Sequence, residues 1–355
     1  MPENLIVLGE LHQDLYYETD FYEQIVQKIV DRIFNFIRYN PDDLMNRRIL
    51  DRLVKGGIND TPKKVEGHCF FKRGGNGNNS SEYLAGFGIP TKLISIIGRG
   101  SKWMYPELNQ LGINTDAIFK IDEITPVSTI IKSKFTTKIH LAPNLKDKMN
   151  FEGIDINDEI FKGAKLIFST PIAEKFIKLF ERASQLGLIT AFNIETQKVK
   201  NLEELSALIN NKYDIFFLNL KDAKIILNDK IGLEEVENYL KNFAQIRIYT
   251  AGKDGSHIFT DNFNLFFPGV SVGAVIDRTG AGDCYAAGFL AKFFNSVKDK
   301  SELNLLLKPE NSEKLKSILE SCGKHGTYSA IYKITKQNPP TPEILEDFMN
   351  NFKIN

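Results

Sequence analysis

The chain has 355 residues, which at roughly 150 residues per domain gives about two domains' worth of polypeptide. Its 45 Lys and Arg balance 45 Asp and Glu, and this neutrality argues against a protein that coats nucleic acid or anionic membrane. Cys69, Cys284 and Cys322 include no pair at CxxC spacing, so neither a disulfide framework nor a structural zinc site is expected. No uncharged apolar run approaches about 18 residues, and Met1-Pro2-Glu3-Asn4 opens no signal stretch, so a cytoplasmic protein is expected.

In chain order, Leu5-Ile6-Val7-Leu8 reads as a buried strand stopped by Gly9, with Glu10 to Asp14 at its C-terminal end. A helical stripe follows at Phe21, Ile25, Ile29, Ile33 and Ile37, widened by Val26 and Val30. Thr19 or Asp20 can cap its start, and Asn40-Pro41 stops it. A second helix begins at Asp42 or Asp43, runs through Leu44, Ile49, Leu50 and Leu53, and ends at Gly56-Gly57. The pair predicts a helical hairpin inserted over 20–57.

From about residue 65 onward, strand-like runs alternate with helical stretches. The strands are predicted around Leu93 to Ile97, Thr129 to Ile131, Leu166 to Phe168, Leu188 to Phe192, Ile215 to Leu218 and Ile246 to Tyr249. Helices are predicted over 172–185 and 236–243. Such alternation is the pattern of βαβ units around a parallel sheet. Residues 116–142 are rich in Thr and Lys with little helical pattern, and are expected to form strands outside the main sheet.

The most informative segment is Asp277-Arg278-Thr279-Gly280-Ala281-Gly282-Asp283, followed by a helix of small residues. Small residues at 280–282 let backbone N–H groups converge at a helix N-terminus, an anion-binding arrangement. Asp283 in the first turn is placed to take a proton from a hydroxyl attacking a phosphoryl group. The competing reading is a glycine turn with Asp283 as a helix cap. A P-loop is absent, because Lys253 and Lys324 are followed by Asp254 and His325.

A second cluster, Gly74-Gly75-Asn76-Gly77-Asn78-Asn79, enters a helix; its glycines allow close backbone approach, and its Asn side chains suit a polyhydroxylated ligand. A turn with an N-cap explains the same residues. Asp14, Asn219 with Asp222, and the Thr250-to-Gly255 turn each follow a predicted strand, where α/β sheets place ligand groups. Solvated turns and caps are the alternatives there. No histidine pair has metal spacing.

Taken in order, Asp14, GGNGNN, NLKD, TAGKDG and DRTGAGD resemble the ribokinase-like (phosphofructokinase-B type) carbohydrate kinases, from residue 5 to about 345. Ala142-Pro143-Asn144 is similar to that family's loop after the lid strands. The resemblance implies an α/β fold: a ribokinase-like three-layer sandwich with a mainly parallel central sheet and a small lid, to which the helical hairpin is added. It implies a single kinase domain over 1–355, with lid strands at about 58–73 and 116–142.

The resemblance also implies roles. Asp283 corresponds to the catalytic base, and Gly280, Ala281 and Gly282 to the anion hole around the transferring phosphoryl group. Asp14, Gly74, Gly75 and Asn79 correspond to acceptor-binding positions. Asn219, Thr250, Gly252 and Gly255 correspond to the nucleotide side. Asp222 stands for the family's magnesium-linked Glu, one methylene shorter and expected to act through water; Asp277 matches a position near a monovalent-cation site. ATP, magnesium and, in many members, potassium are the implied cofactors.

Asn76 stands where some sugar-phosphate kinases carry Lys, which favours an uncharged acceptor. Sixty positions separate Asp14 from Gly74, a stretch here occupied by the helical hairpin. A homodimer through the lid or hairpin is one implied assembly. The reading is therefore an ATP-dependent kinase acting on a hydroxyl of a sugar or sugar-like acceptor, with no nucleic acid or membrane partner. A nucleoside kinase is the alternative within the family, with Phe70, Phe71 or Trp103 stacking on a base. A regulator that binds sugar or nucleotide without turnover is the alternative outside it.

Overall fold

The computed structural model describes residues 3–39, 47–60, 66–132, 138–141, 148–227, 232–270, 276, 278–336 and 340–351. The chain divides into two compact units: Met1–Leu11, Gly74–Ile124 and Asp147–Asn355 form the larger, and His12–Arg73 with Thr125–Lys146 form the smaller. The strands, in chain order, are β1 (Asn4–Gly9), β2 (His12–Glu18), β3 (His68–Gly74), β4 (Thr91–Arg99), β5 (Ile118–Ile124), β6 (Val127–Lys132) and β7 (Lys138–Leu141). They continue with β8 (Ala164–Thr170), β9 (Ile189–Ile194), β10 (Tyr213–Asn219), β11 (Ala244–Thr250), β12 (Ser256–Phe259) and β13 (Asn264–Phe267).

The larger unit is built on a nine-stranded sheet in the order β13-β12-β11-β10-β9-β8-β1-β4-β5. Pairings from β11 across to β5 are parallel, and β12 and β13 add an antiparallel edge. Parallel strands need covering on both faces. Alternation along β1 shows how that is met: Leu5 and Val7 join one buried cluster, Ile6 and Leu8 the other. The first cluster includes residues from helices Asn76–Gly86, Ala281–Ser296 and Ser312–Lys336; the second is covered by Glu174–Gln185, Leu202–Leu208, Leu220–Ile226 and Leu233–Leu240. The result is a three-layer α/β/α sandwich, as the family resemblance implies, around the parallel sheet expected from the alternation of elements.

The small residues after Asp283 are explained by helix packing. A Cβ at Gly288 would come within 2.3 Å of the Ser329 hydroxyl, so Ala281–Ser296 and Ser312–Lys336 approach closely there. Lys298 to Glu320 is rich in charge and reads from sequence as a solvated helical face, but Leu303, Leu306, Leu315 and Leu319 within it are fully or almost fully buried, so only part of it faces solvent.

The smaller unit carries a four-stranded sheet, β3-β2-β6-β7, and two helices, Phe21–Tyr39 and Arg47–Asn59. Phe21 N–H donates to Thr19 Oγ1, one of the two predicted caps. The predicted stop at Asn40-Pro41 and start at Asp42 or Asp43 lie outside the described residues. Gly56-Gly57 does not end the second helix. Both glycines lie inside it, because a Cβ at Gly57 would come within 2.7 Å of Ile29 Cα and one at Gly56 would meet the Arg32 guanidinium. Close approach offsets the roughly 1 kcal/mol that a helical glycine costs relative to alanine. Val26 and Val30, read as part of the packing stripe, are exposed, as is Phe34.

Two further expectations change. Asp14 does not end the first strand; β1 stops at Gly9, and Asp14 lies within β2, where His12 Nε2 approaches its carboxylate at 3.2 Å. Of the stretch 116–142, β5 belongs to the nine-stranded sheet, and only β6 and β7 belong to the smaller one. The reason is composition at its start: Ile118 is buried against the main core and pairs with Ser95 of β4.

Candidate active site

Three neighbouring parallel strands end at one cleft of about 280 Å³ in the larger unit. Glu195 follows the last residue of β9, Asn219 ends β10 and Thr250 ends β11, and all three line it. Carboxyl ends of parallel strands are where open α/β sheets bind ligands, because the βα turns diverge there. Phe217, Tyr285 and Ala286 supply apolar lining.

The opposite lining comes from the start of the helix Ala281–Ser296. Gly280 precedes it in the left-handed conformation at φ 74°, and a Cβ there would press within 2.7 Å of Tyr83 Oη. Glycine is thus required on both conformational and steric grounds. At Gly282 a Cβ would meet nothing within 4 Å, so this position leaves open space at the helix N-terminus. Backbone N–H groups and the helix dipole make that space attractive to an anion. Arg278 lines the same cleft.

Asp283 lies in the first turn of this helix, and Asn79 Nδ2 donates to its Oδ2 at 3.2 Å. Burial pushes the Asp283 carboxyl up to about 6, while the Asn79 hydrogen bond opposes the rise. A base tuned towards neutrality suits proton abstraction from a hydroxyl. One turn earlier on the Asn79 helix, Asn76 Nδ2 donates to Glu195 Oε1. Glu195 is pushed up to about 7, first by burial and then by Asp283, Glu10 and Asp222, with Asn76 opposing.

Asp222 also lines the cleft, and its Oδ1 accepts from Thr196 Oγ1 at 3.1 Å. Asn219 caps the helix Leu220–Ile226, accepting from Lys221 N–H at 2.9 Å. Among the described residues, no cluster of three or more His, Cys, Asp or Glu side chains is assembled to hold a metal. The donor set nearest the nucleotide side is nevertheless all oxygen, from Asn219 and Asp222, which fits a hard divalent cation that keeps waters and shares phosphate oxygens.

The structure therefore gathers Asp283, Gly280, Ala281, Gly282, Asn219, Asp222 and Thr250 at one cleft, with Asn79 touching it through Asp283. Gly75 caps the helix Asn76–Gly86 at φ 98°, next to the buried Gly74. Gly252 and Gly255 form the tight turn joining β11 to antiparallel β12, and neither is part of the cleft lining. Asp14 belongs to the smaller unit. Asp277 and the 142–144 segment lie outside the described residues. Trp103 packs against the main core, and Phe70 stacks on Tyr16 within the smaller unit, so both rings already have apolar neighbours.

Sequence reasoning missed Glu195 and Asn193. A carboxylate just beyond a strand was the available signal, but the strand was read as ending at Phe192, whereas β9 continues to Ile194.

A parallel sheet with helices on both faces, a glycine turn feeding a helix N-terminus, and a partly buried carboxylate beside it fit a phosphotransferase of the ribokinase type. A family model described as pfkB family carbohydrate kinase matches residues 45–341, and the chain belongs to that family. It is a phosphotransferase with an alcohol group as acceptor. Its sequence is 27% identical over 228 residues to a nucleoside kinase of Methanocaldococcus jannaschii, covering 62% of this chain and 72% of that one. A solved nucleoside kinase structure from the same organism superposes with a TM-score of 0.67 at 19% identity, covering 99% and 100% of the two chains. A 5-dehydro-2-deoxygluconokinase of Listeria innocua is 24% identical over 250 residues, covering 65% of this chain and 77% of that one. The structure of fructokinase with bound ATP from Xylella fastidiosa gives a TM-score of 0.69 at 16% identity, with 98% of each chain covered. No helix among the described residues is long and apolar enough to cross a membrane.

Proposed function

We propose that the protein transfers the γ-phosphoryl group of ATP to a hydroxyl of a sugar or sugar-like acceptor, with Asp283 as the base. The observation that carries this reading is the Asp283 carboxylate, partly buried, pushed up to about 6 and placed in the first turn of the helix that Gly280 opens. Phosphoryl transfer needs mainly positioning and charge stabilisation, so a base, an anion hole and a cation site suffice. Ionised Asp283 takes the proton of the attacking hydroxyl. The N–H groups around Gly280, Ala281 and Gly282, with Arg278, receive the charge on the phosphoryl oxygens.

Magnesium supplies neutralisation of the polyphosphate charge when bound. Asp222, through water, and Asn219 are the residues that would hold it, and Thr250 lies beside them on the nucleotide side. Gly74, Gly75, Gly252 and Gly255 shape the turns on either side, and Asn79 orients Asp283 and reaches acceptor hydroxyls. We assign Asp14 to acceptor binding, and a monovalent-cation role to Asp277. A nucleoside acceptor is the second reading, favoured by the similarity to the nucleoside kinase.

The test is ADP release from Mg-ATP across sugars and nucleosides, with Asp283→Asn as control. Turnover is expected on one acceptor class and should fall by a thousandfold or more in the variant, roughly the scale of losing a general base. An active D283N enzyme would remove Asp283 from the role of base.

A further inference from the structure

Asn76 and Asn79 are three positions apart in one helix, so their side chains share a face on successive turns. Each donates its amide to a carboxylate from a different element, Asn79 to Asp283 and Asn76 to Glu195, and both carboxylates line the cleft. The reaction described above uses Asp283 and leaves Glu195 without a task. Among the described residues, no cation pairs with Glu195 in the way that Lys175 at 2.9 Å and Lys198 at 3.1 Å reach Glu10 Oε1. The groups that act on Glu195 are three carboxylates, Asp283, Glu10 and Asp222, and the Asn76 amide.

We propose that Glu195 is a specificity-determining residue that restricts the acceptor to uncharged, hydroxyl-rich compounds and excludes sugar acids and sugar phosphates. The inference rests on the kinase reading, because an acceptor hydroxyl within reach of Asp283 brings the rest of the acceptor beside Glu195. A carboxylate accepts hydrogen bonds from hydroxyl groups, which a neutral polyol supplies. Above about pH 7, where Glu195 is ionised, an acceptor anion instead adds a like charge in a partly desolvated place, where repulsion is little screened. It also finds the Asn76 amide already engaged by Glu195. The polyphosphate of ATP escapes this penalty because it arrives with its divalent cation and faces the helix N-terminus and Arg278. An anionic group on the acceptor brings no such partner.

The test pairs acceptors that keep a free primary hydroxyl and differ in charge: D-ribose with D-ribonate, D-glucose with D-gluconate, D-fructose with D-fructose 6-phosphate, and adenosine as a further neutral member. At pH 8, where Glu195 is ionised, at least one neutral compound should be phosphorylated, and its anionic counterpart should show kcat/KM lower by about 100-fold. Glu195→Gln should narrow that ratio by roughly tenfold or more, chiefly through KM of the anion, while Glu195→Asp should preserve it. An unchanged ratio in folded E195Q overturns the proposal. So does a wild-type enzyme that accepts an anion as readily as its neutral partner, or one that phosphorylates no neutral member. Should E195Q fail to fold, wild type decides: gluconate or ribonate competing with the neutral acceptor at a comparable constant overturns it. Asp283→Asn separates the two readings, since it must abolish every turnover if the kinase assignment holds.

Discussion

Asn79 donates to Asp283 at 3.2 Å across 204 positions of sequence, joining a glycine-rich helix start to the first turn of a distant helix. The bond stabilises the ionised carboxylate against the burial that raises it.

The pH dependence of turnover follows from that pair. As the proposed base, Asp283 must be ionised to act, so kcat/KM should fall as pH drops below about 6. Removing the amide in Asn79→Ala should move this acid limb to higher pH, by up to about one unit. A pH–rate profile checks it, and a limb that stays in place would show that Asn79 does not tune the base.

Gly282 separates folding from chemistry. A Cβ there meets no atom within 4 Å, so Gly282→Ala should melt close to wild type. The same methyl group would occupy space at the anion-binding helix start, and kcat should fall by roughly tenfold to a thousandfold. Melting curves and steady-state rates on one preparation decide this; an unimpaired rate would remove Gly282 from the anion hole.

Glu195 makes an unusual stability prediction. Its carboxyl is raised from 4.5 to about 7 in the folded chain, so its neutral form is the one folding favours. That contribution is complete below the unfolded value and disappears as pH rises through the folded one. Glu195→Gln should therefore match wild type near pH 4.5 and exceed it at pH 8, by an amount on the order of 2–3 kcal/mol. Thermal melts of the ligand-free protein at the two pH values test it, and a variant no more stable at pH 8 would contradict the burial argument.

In the helical hairpin, Gly57→Ala should destabilise despite alanine's better helix propensity. The added carbon would come within 2.7 Å of Ile29 Cα, a backbone atom that cannot rotate away. Overpacking of this kind costs about 1–3 kcal/mol, more than the roughly 1 kcal/mol gained in propensity. Urea denaturation is the measurement, and a stabilised variant would show that the two helices part easily.

The sequence by itself determined the layered α/β class, since runs such as Leu5 to Leu8 and Ile215 to Leu218 can be satisfied only by burial on both faces. It also located the glycine turn at 280–282 and the neighbouring carboxylate as a candidate anion site, because those are local properties of adjacent residues. Only the tertiary structure decided that Asp14 belongs to a second sheet, that Gly56 and Gly57 lie within a helix, and that Glu195 faces the cleft with Asp283. Each of these depends on contacts between segments far apart in sequence. A glycine reads as a helix end until the opposing helix is in place, and a carboxylate reads as solvated until strand β9 proves two residues longer and delivers it to Asn76.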